Sequence, residues 1–148
     1  MGLAIKKNTL EAYHKAMRER LDKANFDVLS RVGEEAVIYA RSLDTYTDRT
    51  TNLRNSIGYV ILKDGIVVSG KFPGNSVAGK GVGQAYANKV AEMVTELSPK
   101  GWILIVVAGM DYAACVEAKG YDVLSGAGNM LKLKIAEILS QIKSELKK

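Results

Sequence analysis

The chain has 148 residues, a formal net charge of +5, 47% apolar residues and 25% charged residues. This length and balance are typical of one soluble globular domain, here 1–148, and exclude an intrinsically disordered chain. The longest apolar run, Trp102 to Met110, is far shorter than the roughly 20 residues that a membrane-spanning helix requires, so we expect no membrane association.

The first predicted element is a long helix. Apolar residues recur at spacings of three and four from Leu10 onwards and predict one long helix, or two end-to-end, over about 9–43. Residues 44–52 are polar and predict a loop, after which Thr51 or Asn52 begins a single helical turn.

A β-hairpin and a glycine-rich segment follow. Ile57–Leu62 and Ile66–Phe72 are rich in β-branched residues, and Asp64-Gly65 between them indicates a tight hairpin turn. Residues 73–83 predict a Gly-rich mobile loop that becomes ordered only on assembly. We therefore expect deletion of 74–82 to leave the fold intact.

The second half of the chain predicts three helices and one strand. Helical spacing returns over 84–97, a short helix is expected over 112–118 with Gly120 at its end, and the last helix begins near 123 or 129 and reaches 147. The strand that begins at Trp102 is apolar on both faces, so we expect it at the centre of the sheet. The fold class is therefore α+β: a small antiparallel sheet, made of the hairpin and this central strand, packed on one face against long N- and C-terminal helices.

Positive charge is concentrated at both ends of the chain. Residues 1–25 carry six basic and three acidic side chains, residues 129–148 carry five and two, and residues 26–128 are close to neutral. Basic ends are compatible with a nucleic-acid-binding module or with an acidic protein partner. Solvated helix faces are the simpler interpretation, because lysines are favoured at a helix C-terminus and no aromatic residues are interleaved with these charges.

One motif points to nucleotides. Gly74–Lys80 fits the phosphate-loop pattern G-x-x-x-x-G-K. Gly81 follows, where that pattern has Ser or Thr to hold magnesium, and the predicted hairpin differs from the parallel strands of a mononucleotide-binding fold. A small nucleotide-binding protein is therefore kept as an alternative.

The reactive side chains are few. Cys115 is the one cysteine and His14 the one histidine. A single cysteine forms no internal disulfide, and a single histidine leaves little basis for a metal site or a nucleophile–base pair. We interpret Cys115 as a small buried residue and His14 as a solvated one. The sequence therefore predicts a structural or binding protein, not an enzyme, with no catalytic residues, metal or cofactor.

Two short strings carry a family resemblance. The first, Asp48–Ile57, precedes the hairpin, and the second, Tyr112–Leu124, precedes the last helix. Together they resemble the gene-product-ten-like family of small phage neck proteins, also called tail-completion or head–tail joining proteins. That family has a T-G-x-L-R-x-S-I turn and a Y-A-x-x-V-E-x-G segment at these places. The matching residues are Leu53, Arg54, Ser56, Ile57, Tyr112, Ala113, Val116 and Glu117, with Gly120 one residue later than the pattern places its glycine.

Asn52 stands where the family pattern has glycine. Asparagine accepts positive φ more readily than most residues, so we expect the turn to survive.

Each string also has an expected local role. Leu53 and Ile57 are four residues apart and would pin a helical turn to the core, whereas Arg54 lies off that face and is free to reach a carboxylate, with Glu117 as a candidate. Tyr112 and Val116, also four apart, would pack the short helix onto the sheet. These roles are structural and fit a protein that assembles.

The resemblance implies a phage or prophage virion protein at the head–tail junction, present in the host cytoplasm during assembly. It implies a homo-oligomeric ring, commonly a hexamer, that contacts other head–tail or tail proteins, with DNA close to the basic ends. A tail terminator, or another neck subunit of different fold, is a further alternative.

Overall fold

The computed structural model describes residues 2, 6–44, 47 and 51–145. The described elements, in chain order, are α1 (Lys7–Ser42), α2 (Asn52–Asn55), β1 (Ile57–Lys63), β2 (Ile66–Lys71), α3 (Val77–Leu97), β3 (Trp102–Ala108), α4 (Ala113–Ala118) and α5 (Ser125–Glu145). The predicted α+β class, with an antiparallel sheet and long N- and C-terminal helices, is confirmed. Part of the predicted loop (45, 46 and 48–50) and the predicted end of the last helix (146–147) lie outside the described residues. None of the described helices is long and apolar enough to cross a bilayer.

β1 and β2 form the predicted hairpin. Asp64 and Gly65 both have positive φ, 50° and 81°, which is what a two-residue type I′ turn requires. Lys63 pairs with Ile66 across this turn. The Asp-Gly signal therefore placed the turn correctly.

β1, and not β3, is the central strand. The strand order is β2-β1-β3, and β1 is antiparallel to both neighbours. The expectation of a central β3 was wrong. Apolar residues on both faces of a strand indicate that other layers cover both faces, but they do not indicate whether strands pair with both of its edges. Helices pack against both faces of β3, while no described strand lies along its outer edge.

The two terminal helices share one face of the sheet, as predicted. Val37 of α1 and Ala127 of α5 lie in one buried cluster with Ile57, Tyr59 and Ile61 of β1. These β1 residues alternate with the ones that face the opposite side, so both faces of this strand are apolar.

The opposite face is covered by α3, which corrects the prediction that helices pack on one face only. Ala87 and Ala91 of α3 form a second buried cluster with Val60 and Leu62 of β1 and with Val107 of β3. The domain therefore has three layers: α1 with α5, the sheet, and α3.

α1 is anchored at two points and then continues beyond the sheet. At Gly33, a Cβ atom would lie 2.8 Å from the ring of Tyr59, so the helix backbone rests directly on that ring. At the hairpin end, Asp22 accepts hydrogen bonds from the Lys63 ammonium and from Trp102 Nε1 (3.2 Å). Residues 7–21 lie past this second anchor and are all exposed, a segment about 22 Å long.

Residues 77–83 are helical, so the predicted mobile loop over 73–83 is wrong for most of its length. α3 begins at Val77, and its N-cap Ser76 accepts a hydrogen bond through Oγ from the Gly79 backbone (3.2 Å). The preceding stretch is also tied down, because the Asn75 N–H donates to Asn55 Oδ1 (3.3 Å).

The glycines of this segment serve packing. Gly79 and Gly83 are buried on the face of α3 that continues through Ala87 and Ala91. A Cβ atom at Gly79 would lie 2.8 Å from Asn55 Cβ. These glycines were the reason to predict a mobile loop. Their four-residue spacing instead forms a smooth helix face that approaches the sheet closely.

Candidate functional site

The first family-like string forms a buried corner between α2 and β1. Asp48, Arg49 and Thr50, at its start, lie outside the described residues. Leu53 and Ile57 are 1% and 0% exposed, as their predicted pinning role requires. Ser56 is also buried, and its Oγ donates to the Leu53 carbonyl (2.8 Å), which closes the turn.

The unusual backbone of this corner is one residue earlier than expected. Thr51 has φ 57° and stands in the left-handed region, whereas Asn52 is the first residue of α2. The expectation that Asn52 would carry the positive φ was therefore wrong, because the pattern has one residue between its glycine and its leucine and so places the glycine at Thr51. A β-branched residue rarely adopts this conformation, so the corner holds Thr51 against its own preference.

Arg54 stabilises the scaffold and does not contact Glu117. Its guanidinium donates to the Leu43 carbonyl (2.8 Å) and to Asp44 Oδ1 (2.7 Å), just past the end of α1. The expected Arg54–Glu117 pair was wrong because each side chain has closer partners. Arg54 instead ties α2 to α1.

Glu117 caps the N-terminus of α5. Its Oε1 accepts hydrogen bonds from the Leu124 N–H (2.9 Å), the Ser125 N–H (2.8 Å) and the Ser125 hydroxyl (2.8 Å). Burial raises the pKa of this carboxyl, but the hydrogen bonds from Leu124 and Ser125 together outweigh burial and hold the pKa below its ordinary value. A carboxylate at the start of a helix also interacts favourably with the helix dipole.

The rest of the second string shapes α4. Val116 packs against the buried cluster, as expected, whereas Tyr112 is 39% exposed and is not among the residues packed against it. Gly120 has φ 86°, and its N–H donates to the Glu117 carbonyl (2.9 Å). Gly120 therefore ends α4 as predicted.

The two strings lie at the same end of the sheet. Ile57, at the end of the first string, pairs with Ala108, the last residue of β3. Ala113 of the second string lies in one buried cluster with Leu53 and Ile57. The matched residues thus form one structural corner, held by packing and not by the predicted ion pair.

The phosphate-loop-like segment has a different structure from a phosphate loop. Lys80 lies inside α3, three residues after the helix begins, and its N–H donates to the Ser76 carbonyl (3.1 Å). The three strands are antiparallel throughout. Gly74 and Gly79 pack against Asn55, so helix packing accounts for the glycines that suggested nucleotide binding.

The lone reactive side chains are exposed and lie on different helices. Cys115 is exposed on α4, so its interpretation as a buried residue was wrong. His14 is exposed on α1, where its ring meets Tyr13 edge-on with centroids 6.3 Å apart. Within the described residues, no three His, Cys, Asp or Glu side chains are grouped as metal ligands.

Two uncovered apolar surfaces distinguish the molecule. The first is β2, an edge strand that exposes Ile66 (69%), Val67 and Val68. The second is the protruding part of α1, where four large apolar residues on the face predicted from the sequence remain exposed: Leu10, Tyr13, Met17 and Leu21. Uncovered apolar surface of this kind is typical of interaction sites.

A cleft runs along the outer edge of β3. It has a volume of about 440 Å³ and lies between α3 on one side and α4 with Val123 and Leu124 on the other. Its lining is mainly apolar, and its two charged groups are the carboxyls of Asp111 and Glu117. The sequence does not predict this cleft, because a central β3 would have a strand on each side and no open edge.

Comparison of the chain with protein-family models, with curated proteins and with solved structures gives no match. The family resemblance therefore rests on the two strings.

Proposed function

We propose that this protein is a phage or prophage structural protein of the head–tail junction, a tail-completion or neck component that acts by assembling into a ring. The observation that carries this proposal is that no described strand covers either edge of the small sheet, and that the two edges differ from each other. β2 offers an exposed apolar strand, and β3 offers a cleft.

Free sheet edges favour association. An edge strand presents unpaired backbone N–H and C=O groups that can pair with another chain. Natural proteins usually protect such an edge with charges, but Ile66, Val67 and Val68 carry none and are exposed. Pairing this edge with another subunit would cover the apolar residues.

Two unlike edges favour a ring over a symmetric dimer. When one surface of a subunit binds a different surface of the next, the contact repeats head-to-tail, and it closes into a ring where the rotation permits. This symmetry fits the ring that the family resemblance implies. The partners would be further copies of the chain together with other head–tail or tail proteins, in the virion and, during assembly, in the host cytoplasm.

The experiment is to determine the mass and shape of the assembled protein. Sedimentation velocity over a wide concentration series, with negative-stain electron microscopy of the largest species, should show a closed ring of uniform subunit number. The proposal also predicts that the adjacent genes encode connector and tail-tube proteins, and coexpression with those two proteins should yield a complex that contains all three.

Three results would contradict the proposal. A protein that stays monomeric both alone and with those neighbours would exclude ring assembly. Binding of labelled ATP that is abolished by Lys80→Ala would favour the nucleotide-binding alternative. DNA binding by the monomer that weakens steeply with salt would favour the basic nucleic-acid-binding module.

A further inference from the structure

The outer edge of β3 has backbone groups that no described residue satisfies. The Gly109 N–H donates to Ser56 and the Asp64 N–H donates to Gly101, at opposite ends of the β1–β3 ladder. Since hydrogen-bonded pairs alternate along an antiparallel ladder, the odd-numbered residues of β3 bond to β1. The N–H and C=O groups of Leu104, Val106 and Ala108 therefore point away from the sheet.

The outward groups of Val106 and Ala108 open into the cleft. Val106 and Ala108 line it, Tyr86 and Val90 of α3 form one wall, and α4 forms the other. An extended segment that lies in the cleft can pair its backbone with β3 while its side chains meet apolar walls. This combination of a free strand edge and flanking apolar pockets is how sheets bind an added strand.

We propose that the cleft along β3 binds strand β2 of a second copy of this chain, in parallel with β3. This inference rests on the proposed ring assembly and names the contact that would build it. β2 has the required properties: six residues against the seven of β3, an exposed apolar character and a free edge of its own.

The usable part of the β2 edge can be read from its register. The closing pair of the hairpin, Lys63 with Ile66, fixes the alternation, so Ser69 and Lys71 bond inward to β1 and Gly70 points outward. A bulge sets Val67 and Val68 opposite one residue of β1. Regular pairing with another chain is therefore expected from Val68 to Lys71. Val68 is the large apolar side chain within this stretch, and Ile66 and Val67 lie beside it.

Charge is consistent with a parallel direction of pairing. The charged groups that line the cleft are Asp111 and Glu117, which both follow the C-terminal end of β3 in the chain, and Glu117 is held by the start of α5. The one charged residue of β2 is Lys71, which is exposed at the C-terminal end of its strand and pairs with Glu34 of α1 (2.6 Å). Parallel strands bring Lys71 to the end of the cleft where Asp111 lies, whereas antiparallel strands would move it to the far end.

The parallel direction also agrees with ring symmetry. β2 and β3 of one copy are both antiparallel to β1 and are therefore parallel to each other. A rotation about an axis along the strands keeps their direction, so β2 of the next copy meets β3 in parallel. The sheets of successive copies would then form one continuous wall around the ring.

Two proline variants test this contact. Val106→Pro removes an outward N–H from β3, and Gly70→Pro removes one from β2, so neither change deletes a hydrogen bond to β1. Ala114→Trp is a second way to block the cleft, because Ala114 is exposed on its α4 wall. Ala118→Trp is the matched control, since Ala118 is exposed on the same helix but does not line the cleft.

Each blocked variant should be monomeric alone, as measured by sedimentation velocity, with a circular dichroism spectrum like that of the unmodified chain. A mixture of Ala114→Trp with Gly70→Pro should form a heterodimer and nothing larger, because each partner keeps one working edge. Ala118→Trp should assemble like the unmodified chain.

Other outcomes separate the inference from the proposed function. If the unmodified chain assembles and the blocked variants assemble equally well, the strand contact is wrong but ring assembly stands. If Gly70→Pro dimerises alone, β3 pairs with β3 and the head-to-tail contact is wrong. If the unmodified chain is monomeric at every concentration and beside its neighbours, both fail together.

Discussion

Gly83 of α3 lies directly against Gly109, the residue that follows β3. A Cβ atom at Gly109 would overlap the Gly83 Cα, and a Cβ atom at Gly83 would lie 2.5 Å from the Ser56 carbonyl oxygen. Only glycine allows a helix backbone and a strand backbone to approach this closely. This contact sets the depth of α3 on the sheet and, with it, the position of the cleft wall.

Gly83→Ala should therefore destabilise the fold. The added methyl group meets the Ser56 carbonyl and the Phe72 ring, and overpacking of this kind costs about 1–3 kcal/mol. The gain in helix propensity offsets at most about 1 kcal/mol. Urea denaturation should show a lower midpoint with an unchanged slope.

Gly81→Ala is the matched control, on the same helix and two residues away. No atom outside its local helix lies within 4 Å of a Cβ built there, so this change should raise the free energy of unfolding by about 0.5–1 kcal/mol. A Gly83→Ala protein as stable as Gly81→Ala would contradict the close-contact explanation.

Deletion of residues 74–82 should abolish cooperative folding, the reverse of what the sequence suggested. The deletion removes the N-cap Ser76 and the first turn of α3, together with the contacts of Gly74 and Gly79 with Asn55. Thermal denaturation followed by near-ultraviolet circular dichroism should show no transition. A sharp transition in the deleted chain would mean that α3 docks without this turn.

Glu117→Ala should weaken the start of α5. The change leaves the backbone donors of Leu124 and Ser125 without their acceptor, and loss of a helix cap costs about 0.5–2 kcal/mol. Glu117→Gln keeps one oxygen acceptor and should lose less. Glu137→Ala, at an exposed position on α5, is the control and should have little effect on the free energy of unfolding measured by urea denaturation. A loss of stability there equal to that of Glu117→Ala would argue against capping.

Asp22 should make stability sensitive to acid. The hydrogen bond from Lys63 is the main cause that lowers the pKa of this carboxyl, against a smaller opposing effect of burial. A carboxyl whose pKa is lower in the folded state stabilises the fold above its unfolded pKa and loses that contribution as the pH falls below it. The free energy of unfolding should therefore fall as the pH drops below about 4, the ordinary pKa of an aspartate.

Asp22→Asn isolates this effect, because the amide oxygen can still accept from Trp102 but carries no charge. The variant should be less stable than the unmodified chain at neutral pH, and the difference should shrink in acid. Asp27→Asn, on an exposed residue of the same helix, should follow the unmodified chain. Parallel pH curves for the unmodified chain and Asp22→Asn would exclude the ion pair as the cause.

Local patterns predicted most of the elements. Apolar spacing located α1 to within two residues at its start, and Asp64-Gly65 located the hairpin turn, because both signals depend on residues close in the chain. A glycine in the sequence has two possible meanings, and Gly79 is an example. It weakens an isolated helix, but it also permits close packing once a partner is present. That partner lies far away in the chain, so the residues near the glycine do not indicate it.

Side-chain partners and strand neighbours were the harder part. Arg54 and Glu117 were plausible partners by charge. Glu117 instead accepts a hydrogen bond from Leu124, only seven residues further along the chain, just before α5. Likewise, β1 and β3 are almost equally apolar, and only their register shows which one is central. Both errors arose because composition alone does not rank competing contacts.

The protruding part of α1 gives the last prediction. Met17 and Leu21 are about half exposed and lie beyond the sheet, so replacing both with Gln should change the free energy of unfolding by no more than about 0.5 kcal/mol. If this face is buried in the ring, each lost side chain removes up to about 1.5–3 kcal/mol of apolar burial on assembly. Sedimentation velocity should then show assembly shifted to markedly higher concentration.

Glu19→Gln is the control, because Glu19 is exposed between these two residues in sequence but projects to the opposite side of the helix. It should leave both stability and assembly close to those of the unmodified chain. If the Met17 and Leu21 double variant assembles like the control, α1 lies outside the contacts between copies, and under the proposed function its apolar face would contact a different head–tail protein. Coexpression of the double variant with the connector and tail-tube proteins would test that directly, because loss of the mixed complex with the ring intact would locate α1 at the junction with its neighbour.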